Sequence, residues 1–166
     1  MGEQLLEAFL VDGKTHRQTY HVKLISPLMM HGLEARKEAE LRETSIKGVL
    51  RYWWRAVHGN TYRNAKDLLH AEATLFGGTN PKLKSPLFLK ITNENVLQTN
   101  AKMLPHRAKS FSGKAFQKNG SFDLELSIPP HFDLHKLEPY TSIFELTVLL
   151  GSFGQRTRRG FGSVQV

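Results

Sequence analysis

The sequence lacks cysteine, and it lacks any apolar run long enough to cross a bilayer. Without cysteine, a chain of 166 residues has no disulfide bond and no thiolate metal site, which favours a reducing compartment. No apolar segment approaches the roughly 20 residues of a membrane-spanning helix. The first residues also lack the basic-then-apolar pattern of a secretory signal. We therefore expect a cytoplasmic protein without a membrane partner.

Motifs for metals and nucleotides are also scarce. The chain has eight histidines, and only His131 and His135 have a ligand-like spacing, without a third ligand nearby in the sequence. There is no Gly-x-x-x-x-Gly-Lys-Ser/Thr loop, and the glycine-rich stretch near the C-terminus precedes a predicted strand rather than a helix. These absences argue against a metal, a cofactor or a bound mononucleotide.

The charge is mostly positive and unevenly placed. Lys and Arg number 23 against 15 Asp and Glu, which gives a net charge of +8. Residues 45–66, 95–122 and 146–166 carry basic residues and no acidic one. Such clustering is the electrostatic footprint of a nucleic-acid binder. With 40 % hydrophobic residues the chain should be globular, and its length suits one domain with a real core.

Hydrophobic periodicity predicts the order strand, helix, strand, strand, helix, strand. Alternating apolar residues indicate strands over 20–25, 86–91 and 122–128, and a last strand covers 163–166. This order is the split βαβ arrangement of ferredoxin-like (RRM-like) domains. The predicted fold class is therefore α+β, with an antiparallel sheet that has helices on one face and leaves the other face open.

Capping residues predict where the helices begin. Thr44 is the expected N-cap of the first helix, and Asn64 is the expected N-cap of a short second helix. Ser142-Ile-Phe-Glu145 matches a capping box for the last helix, with Thr141 as the alternative N-cap, and we expect this helix to end at Leu150.

Two segments fall outside this regular pattern. Residues 1–19 are expected to form an N-terminal arm or an extra hairpin ahead of a single domain over 20–166. Residues 92–120 are basic and polar and are punctuated by proline and glycine, so we expect a long loop. The basic residues expected to extend a binding track along it are Arg107, Lys109 and Lys114.

The first helix carries an apolar stripe beside a basic one. The apolar stripe predicts the buried face: Ile46, Leu50, Trp53 and Val57. Basic residues at i, i+4 and i+8 form a second stripe, which we call the basic ridge: Lys47, Arg51 and Arg55. Like charges at this spacing are mildly destabilising, so the ridge calls for a polyanion or for acidic neighbours.

Other residues near the basic ridge have expected roles of their own. Gly48 costs helix stability, which a close approach by a ligand or by the sheet would explain. Trp53 and Trp54 are expected in the core rather than as stacking platforms. Glu72 lies on the apolar side of the second predicted helix, and we expect it to pair with one of the helix arginines.

Residues 151–162, which we call the glycine loop, hold four glycines, three arginines and no acidic residue. Arginine presents a planar fork that suits phosphate oxygens, and glycine lets another chain approach closely. The loop is therefore predicted to hold a polyanion backbone. The residues expected to contact it are Arg156, Arg158 and Arg159, and the backbone of Gly160 and Gly162. Phe161 is expected either to stack a base or to fill the core.

Four segments in this order carry a family resemblance. They are a first strand that ends in Ser26-Pro27, the run Leu41-Arg-Glu-Thr-Ser-Ile-Lys-Gly-Val-Leu-Arg-Tyr-Trp-Trp-Arg55, then Glu72-Ala-Thr-Leu-Phe-Gly-Gly78 and Gly154-Gln-Arg-Thr-Arg-Arg-Gly-Phe-Gly162. Together they resemble the RAMP superfamily, the RNA-binding proteins of CRISPR effector complexes. Within it they most resemble the N-terminal RAMP domain of the first subunit of type III-B (Cmr) complexes.

The resemblance implies a ferredoxin-like domain whose first helix and glycine loop line a crevice for single-stranded RNA. It implies a non-catalytic subunit that holds CRISPR guide RNA and single-stranded target RNA in antiviral defence, beside neighbouring RAMP subunits of the Cmr complex. We expect the basic ridge and the loop arginines to face each other across this crevice. Members of this subunit family usually carry two such domains, and only one fits in this chain.

Two other functions remain open from the sequence. Some RAMP relatives cleave precursor guide RNA without a metal, and this chemistry needs a general base near the 2′-hydroxyl and an acid for the leaving oxygen. His31 and His106 are the candidates for these roles. The third possibility is an assembly module whose basic face meets acidic protein surfaces.

Overall fold

The computed structural model of the chain describes residues 16–34, 37–102 and 112–166. Its strands are β1 (His16–Leu24), β2 (Gly78–Thr79), β3 (Lys82–Leu83), β4 (Phe88–Asn95), β5 (Gln98–Lys102), β6 (Ser112–Phe116), β7 (Ser121–Ile128) and β8 (Val164–Gln165). Its helices are α1 (Glu43–His58), α2 (Ala65–Phe76) and α3 (Glu138–Leu150). Within these ranges no helix is long and apolar enough to cross a membrane.

Four strands form the main sheet in the order β4-β7-β1-β8. All three neighbouring pairs are antiparallel. In the chain, α1 and α2 lie between β1 and β4, and α3 lies between β7 and β8. This is the ferredoxin-like topology, so the predicted α+β fold class is confirmed.

One face of the sheet is buried beneath the helices. Successive strand residues point to opposite faces, and the inward ones on β1 and β7 are buried: Val22, Leu24, Phe122, Leu124, Leu126 and Ile128. Residues from the helices belong to the same core: Ile46, Leu50, Trp54 and Phe144. The alternation seen in the sequence therefore identified the core face of the sheet correctly.

The opposite face of the sheet is open and carries charges of both signs. Arg17 lies 3.7 Å from Glu125, and His21 Nδ1 lies 2.8 Å from Asp123. The side-chain amide of Asn93 donates to Asp123 at 2.6 Å. Hydrogen bonds from Asn93 and His21 hold the pKa of the Asp123 carboxyl below its usual range. The open face therefore presents carboxylates beside its cations.

Two of the three predicted helix starts are wrong. The first helix begins two residues earlier than predicted, with Arg42 at the N-cap and no side-chain cap, so Thr44 lies inside it. The last helix begins at Glu138, where a proline in its first turn fits the helix, so the predicted capping box lies in mid-helix. Asn64 is confirmed as an N-cap, since its side chain accepts from the backbone of the next turn.

The region expected to be a long loop contains regular structure. β4 continues to Asn95, and β5 pairs with β6 from Gln98 opposite Phe116 to Lys102 opposite Ser112. The polar residues of β5 hide this hairpin from a hydrophobic pattern, because few of its side chains enter the core. The strand β1 begins at His16 and pairs with β7 from that residue on, so the first strand starts four residues earlier than predicted.

Candidate nucleic-acid interface

A groove of about 530 Å³ lies between α1 and the glycine loop. Its lining residues on α1 are Ser45, Gly48, Val49, Tyr52 and Trp53. Its lining residues on the end of α3 and the loop are Leu150, Gly151, Ser152, Gly154, Thr157 and Arg158. Among these lining residues Arg158 is the only charged side chain, and none is acidic. The groove is therefore where the sequence predicted a crevice, with a mixed polar and apolar lining.

The helix α1 uses three different faces. Its core face carries Ile46, Leu50 and Trp54, so the predicted apolar stripe is rotated towards Trp54 and away from Val57, which is exposed. A second face lines the groove. A third face carries the basic ridge, and none of its three cations lines the groove. This corrects the expectation that the basic ridge and the loop arginines face each other across the crevice.

Two cations of the basic ridge are paired with a buried carboxylate. Arg51 and Arg55 donate to Glu72 Oε1 on α2 at 2.5 and 2.7 Å. Burial alone would raise the pKa of Glu72, but the two arginines hold it below its usual range. Glu72 is therefore confirmed as the ion-pair partner of the helix arginines. Two guanidinium groups share one carboxylate, so these three side chains together keep one net positive charge.

The third cation of the basic ridge is also engaged. Lys47 Nζ donates to Ser85 Oγ at 3.0 Å and to the Leu87 carbonyl at 2.8 Å. Desolvation and the neighbouring Arg51 lower the pKa of this amine. Lys47 thus fastens α1 to the segment that leads into β4. Contacts of the three ridge residues with RNA remain a prediction.

Gly48 borders open space in the groove. A Cβ placed on Gly48 would meet no atom within 4 Å, so no part of the described chain approaches this glycine closely. Packing against the sheet therefore does not explain a residue that costs helix stability by about 1 kcal/mol relative to alanine. The approach of a ligand to Gly48, the other explanation offered by the sequence, remains a prediction.

The glycine loop is fixed to the chain that follows β1. Gly162 donates its N–H to the Pro27 carbonyl at 2.9 Å and accepts from the Phe153 N–H at 2.8 Å. Its φ is +75°, and an added Cβ would overlap the Phe153 carbonyl oxygen. Only glycine fits such a position. Gly162 is buried and closes the loop internally, which does not favour its predicted contact with RNA.

The loop arginines lie on a short turn between these anchors. Thr157–Arg159 form a 3-10 turn that follows Arg156, whose φ is +57°. Arg158 and Arg159 are exposed, as is Gly160, while Arg156 and Phe161 are half-buried. Arg158 therefore lines the groove, and Arg159 is its neighbour in the sequence. Contacts of these arginines with phosphate remain a prediction.

Two aromatic residues, Tyr52 and Trp53, line the groove although the sequence did not predict them there. Trp54 is in the core as predicted, but Trp53 is only partly buried and lines the groove. Tyr52 stands beside it, with ring centroids 5.9 Å apart and an interplanar angle of 83°. Helical spacing could have identified both residues, because it places Ser45, Gly48 and Tyr52 on one face of α1 and Trp53 at the border of that face.

The candidate nuclease residue His31 is poorly placed for proton transfer. His31 Nε2 lies 2.7 Å from the Lys114 carbonyl oxygen, so this nitrogen carries a proton and donates it. His31 Nδ1 is buried and has no hydrogen-bond partner among the described residues. Neither nitrogen of His31 is open to a ribose hydroxyl. His106 lies outside the described residues, as do Arg107 and Lys109, while Lys114 is half-buried in β6.

Curated relatives are CRISPR proteins of Pyrococcus furiosus. The CRISPR system Cmr subunit Cmr1-2 is 28 % identical and aligns with 89 % of this chain and 93 % of its own length. The Cmr subunit Cmr1-1 is 26 % identical and aligns with 90 % of this chain and 47 % of its own length. The chain therefore spans nearly all of one relative and about half of the other.

Solved structures share the fold. The crystal structure of apo Cmr1 from Pyrococcus furiosus has a TM-score of 0.67 at 23 % identity, over 90 % of this chain and 48 % of that one. A chain of the type III-B Cmr-beta complex bound to cognate target RNA has a TM-score of 0.61 at 9 % identity, over 99 % of this chain and 62 % of that one. The family model of the RAMP superfamily matches residues 21–165. The resemblance seen in the sequence is thereby confirmed, and the chain belongs to the RAMP superfamily.

Proposed function

We propose that this chain is an RNA-binding RAMP subunit of a type III-B CRISPR effector complex. It holds single-stranded guide RNA, with single-stranded target RNA as a second ligand, in the groove between α1 and the glycine loop. Neighbouring RAMP subunits of the Cmr complex are its protein partners. The similarity to Cmr1-2 along almost its whole length supports this assignment.

The groove itself is the observation on which the proposal rests. It combines an exposed arginine, a helix glycine open to solvent and no acidic lining residue among those described. Phosphate oxygens suit the arginine fork, and the glycine removes the side chain that would hold a backbone away. Hydroxyl groups of Ser45, Ser152 and Thr157 add hydrogen-bonding groups for ribose and phosphate.

The proposal predicts a salt-dependent affinity that depends on Arg158. In Arg158→Gln the slope of log K against log [salt] for single-stranded RNA should fall by about 0.7, the value for one lost phosphate contact on a single strand. Filter binding at four salt concentrations measures this slope. The matched control is Arg17→Gln on the open sheet face, where the ion pair to Glu125 is exposed and contributes little.

Two results would contradict the proposal. One is an unmodified protein that does not bind single-stranded RNA at moderate salt, which is what an assembly module with acidic protein partners predicts. The other is a slope that changes equally in Arg158→Gln and Arg17→Gln, because the cations would then act only through the overall charge of the chain.

The proposal is for binding without cleavage. Neither nitrogen of His31 is accessible to a bound ribose, because Nε2 is bonded to the Lys114 carbonyl and Nδ1 is buried. Incubation of labelled repeat RNA in the presence of EDTA checks this point. Specific cleavage that is lost in His31→Ala would favour the endoribonuclease instead.

A further inference from the structure

We propose that the groove contains a base-binding subsite, in which Trp53 and Tyr52 receive one unpaired RNA base. This inference rests on the proposed function and adds to it the part of the nucleotide that the groove recognises. The sequence left Phe161 open between stacking a base and filling the core, and Phe161 is not among the described residues that line the groove. The structure assigns it to two neighbouring residues of α1.

The two rings form an open corner. Tyr52 is 52 % exposed, and its ring stands nearly perpendicular to that of Trp53 at a centroid distance of 5.9 Å. A planar base stacked on one ring would therefore stand nearly perpendicular to the other, and both stacked and edge-to-face arrangements are favoured for aromatic groups. Exposed aromatic rings beside a cationic loop are the usual platform for unpaired bases.

The indole of Trp53 is held in place by the start of the glycine loop. A Cβ on Gly151 would lie 2.6 Å from Trp53 Nε1, so the absence of a side chain at this residue lets the indole rest against the loop. No acceptor for the Trp53 N–H is found among the residues that the structure describes. Beside the indole, the lining of the groove includes Leu150, which is 67 % exposed.

The electrostatics of the groove favour a whole nucleotide over phosphate alone. A site for phosphates only would be expected to gather several cations, whereas Arg158 is the single charged residue of this lining. The volume of about 530 Å³ falls in the range of small-ligand sites, roughly 300–1,000 Å³. A nucleotide whose base stacks on Trp53 and Tyr52 and whose phosphate contacts Arg158 would use both the aromatic and the cationic part of the lining.

The test separates stacking from charge. Trp53→Leu should weaken binding to single-stranded RNA by about 10-fold, because stacking contributes about 1–3 kcal/mol per base. Its salt slope should stay at the value of the unmodified protein, since no ionic contact is lost. On an oligonucleotide of the same length with abasic positions, Trp53→Leu and the unmodified protein should bind equally. Phe88→Leu, an exposed aromatic residue on the open sheet face, is the matched control and should bind as the unmodified protein does.

Two results would overturn the subsite. If Trp53→Leu binds RNA as tightly as Phe88→Leu does, the aromatic corner takes no base. If the loss persists on abasic RNA, the groove binds backbone only. Should Trp53→Leu lower the thermal midpoint, Tyr52→Leu replaces it with the same expectations, because Tyr52 lies at the surface. The unmodified protein is measured first. If it does not bind RNA at all, the proposed function itself is rejected, whereas a failure of the subsite alone leaves its binding intact.

Discussion

At the scale of single residues, Glu72 is the ion-pair partner of two of the three cations of the basic ridge. It is 2 % exposed and accepts hydrogen bonds from Arg51 and Arg55. Removing either arginine uncovers a buried carboxylate, which costs stability regardless of any ligand. A loss of RNA binding in Arg51→Ala would therefore be ambiguous, whereas Arg158 is exposed in the groove and can be changed without this side effect.

The Glu72 ion pairs predict a measurable pH dependence of stability. Glu72→Gln should lower the free energy of unfolding at pH 7 by about 2 kcal/mol, because a charged acceptor of two guanidinium groups is lost. The folded-state pKa of Glu72 lies below its usual value of 4.5, so its contribution is present above that value and is lost as the pH falls through the folded pKa. Urea denaturation across this range should show the two proteins converging in acid.

A surface carboxylate provides the control for this measurement. Glu94→Gln removes the same charge from an exposed position of β4, and its unfolding free energy should match that of the unmodified protein at every pH. Equal stability of Glu72→Gln and Glu94→Gln at pH 7 would show that the buried pairs do not stabilise the fold.

At the scale of elements, Gly48 makes α1 less stable than alanine would, and this glycine lies on the face of the helix that lines the groove. Gly48→Ala should raise the free energy of unfolding by about 1 kcal/mol, since an added Cβ meets no atom within 4 Å. The same variant should bind single-stranded RNA more weakly, because the methyl group enters the space that the ligand is proposed to occupy. Thermal unfolding and filter binding on one sample measure both effects.

Another helix position separates the two effects of Gly48→Ala. Thr74→Ala lies on an exposed turn of α2 and also replaces a poorer helix former with alanine. It should raise stability without changing RNA affinity. If Gly48→Ala stabilises the protein and binds RNA as well as Thr74→Ala does, then no ligand approaches the helix backbone at Gly48.

The sequence predicted the elements better than their ends and their orientations. Period-two alternation identified the core faces of β1 and β7, because the inward residues of β7 and of the second half of β1 are apolar. The hairpin of β5 and β6 was missed, since its side chains are mostly polar and its pairing depends on backbone hydrogen bonds. The basic ridge was found, but its direction depends on how α1 rotates against Glu72, and that rotation is set by tertiary packing.

The candidate site was predicted in part for the same reason. Gly48 was identified from residue type, because glycine is unfavourable inside a helix, and Arg158 was identified because its loop combines four glycines with three arginines. Trp53 was assigned to the core together with Trp54, since neighbouring tryptophans look alike in sequence. They lie about 100° apart around the helix, which is enough to bury one and leave the other in the groove.

At the scale of the whole molecule, the fold offers RNA two surfaces, and their charges differ. On the open sheet face Arg17 and His21 already lie beside Glu125 and Asp123. The groove on the helix side holds Arg158 and no carboxylate among the described lining residues. Because phosphates are repelled by carboxylates, RNA should follow the helix side, unlike in RNA-binding domains that stack bases on the sheet.

This asymmetry predicts where RNA will crosslink to the protein. Ultraviolet crosslinking of single-stranded RNA followed by peptide mass spectrometry should label the α1 peptide that contains Tyr52 and Trp53. Phe88 on the open sheet face is equally exposed, at 50 % against 52 % for Tyr52, so accessibility alone would label both. Labelling should fall as salt is raised, because phosphate contacts hold the strand in place. Crosslinks at Phe88 in preference to Tyr52 would mean that the sheet carries the RNA despite its carboxylates, and the groove would lose its proposed ligand.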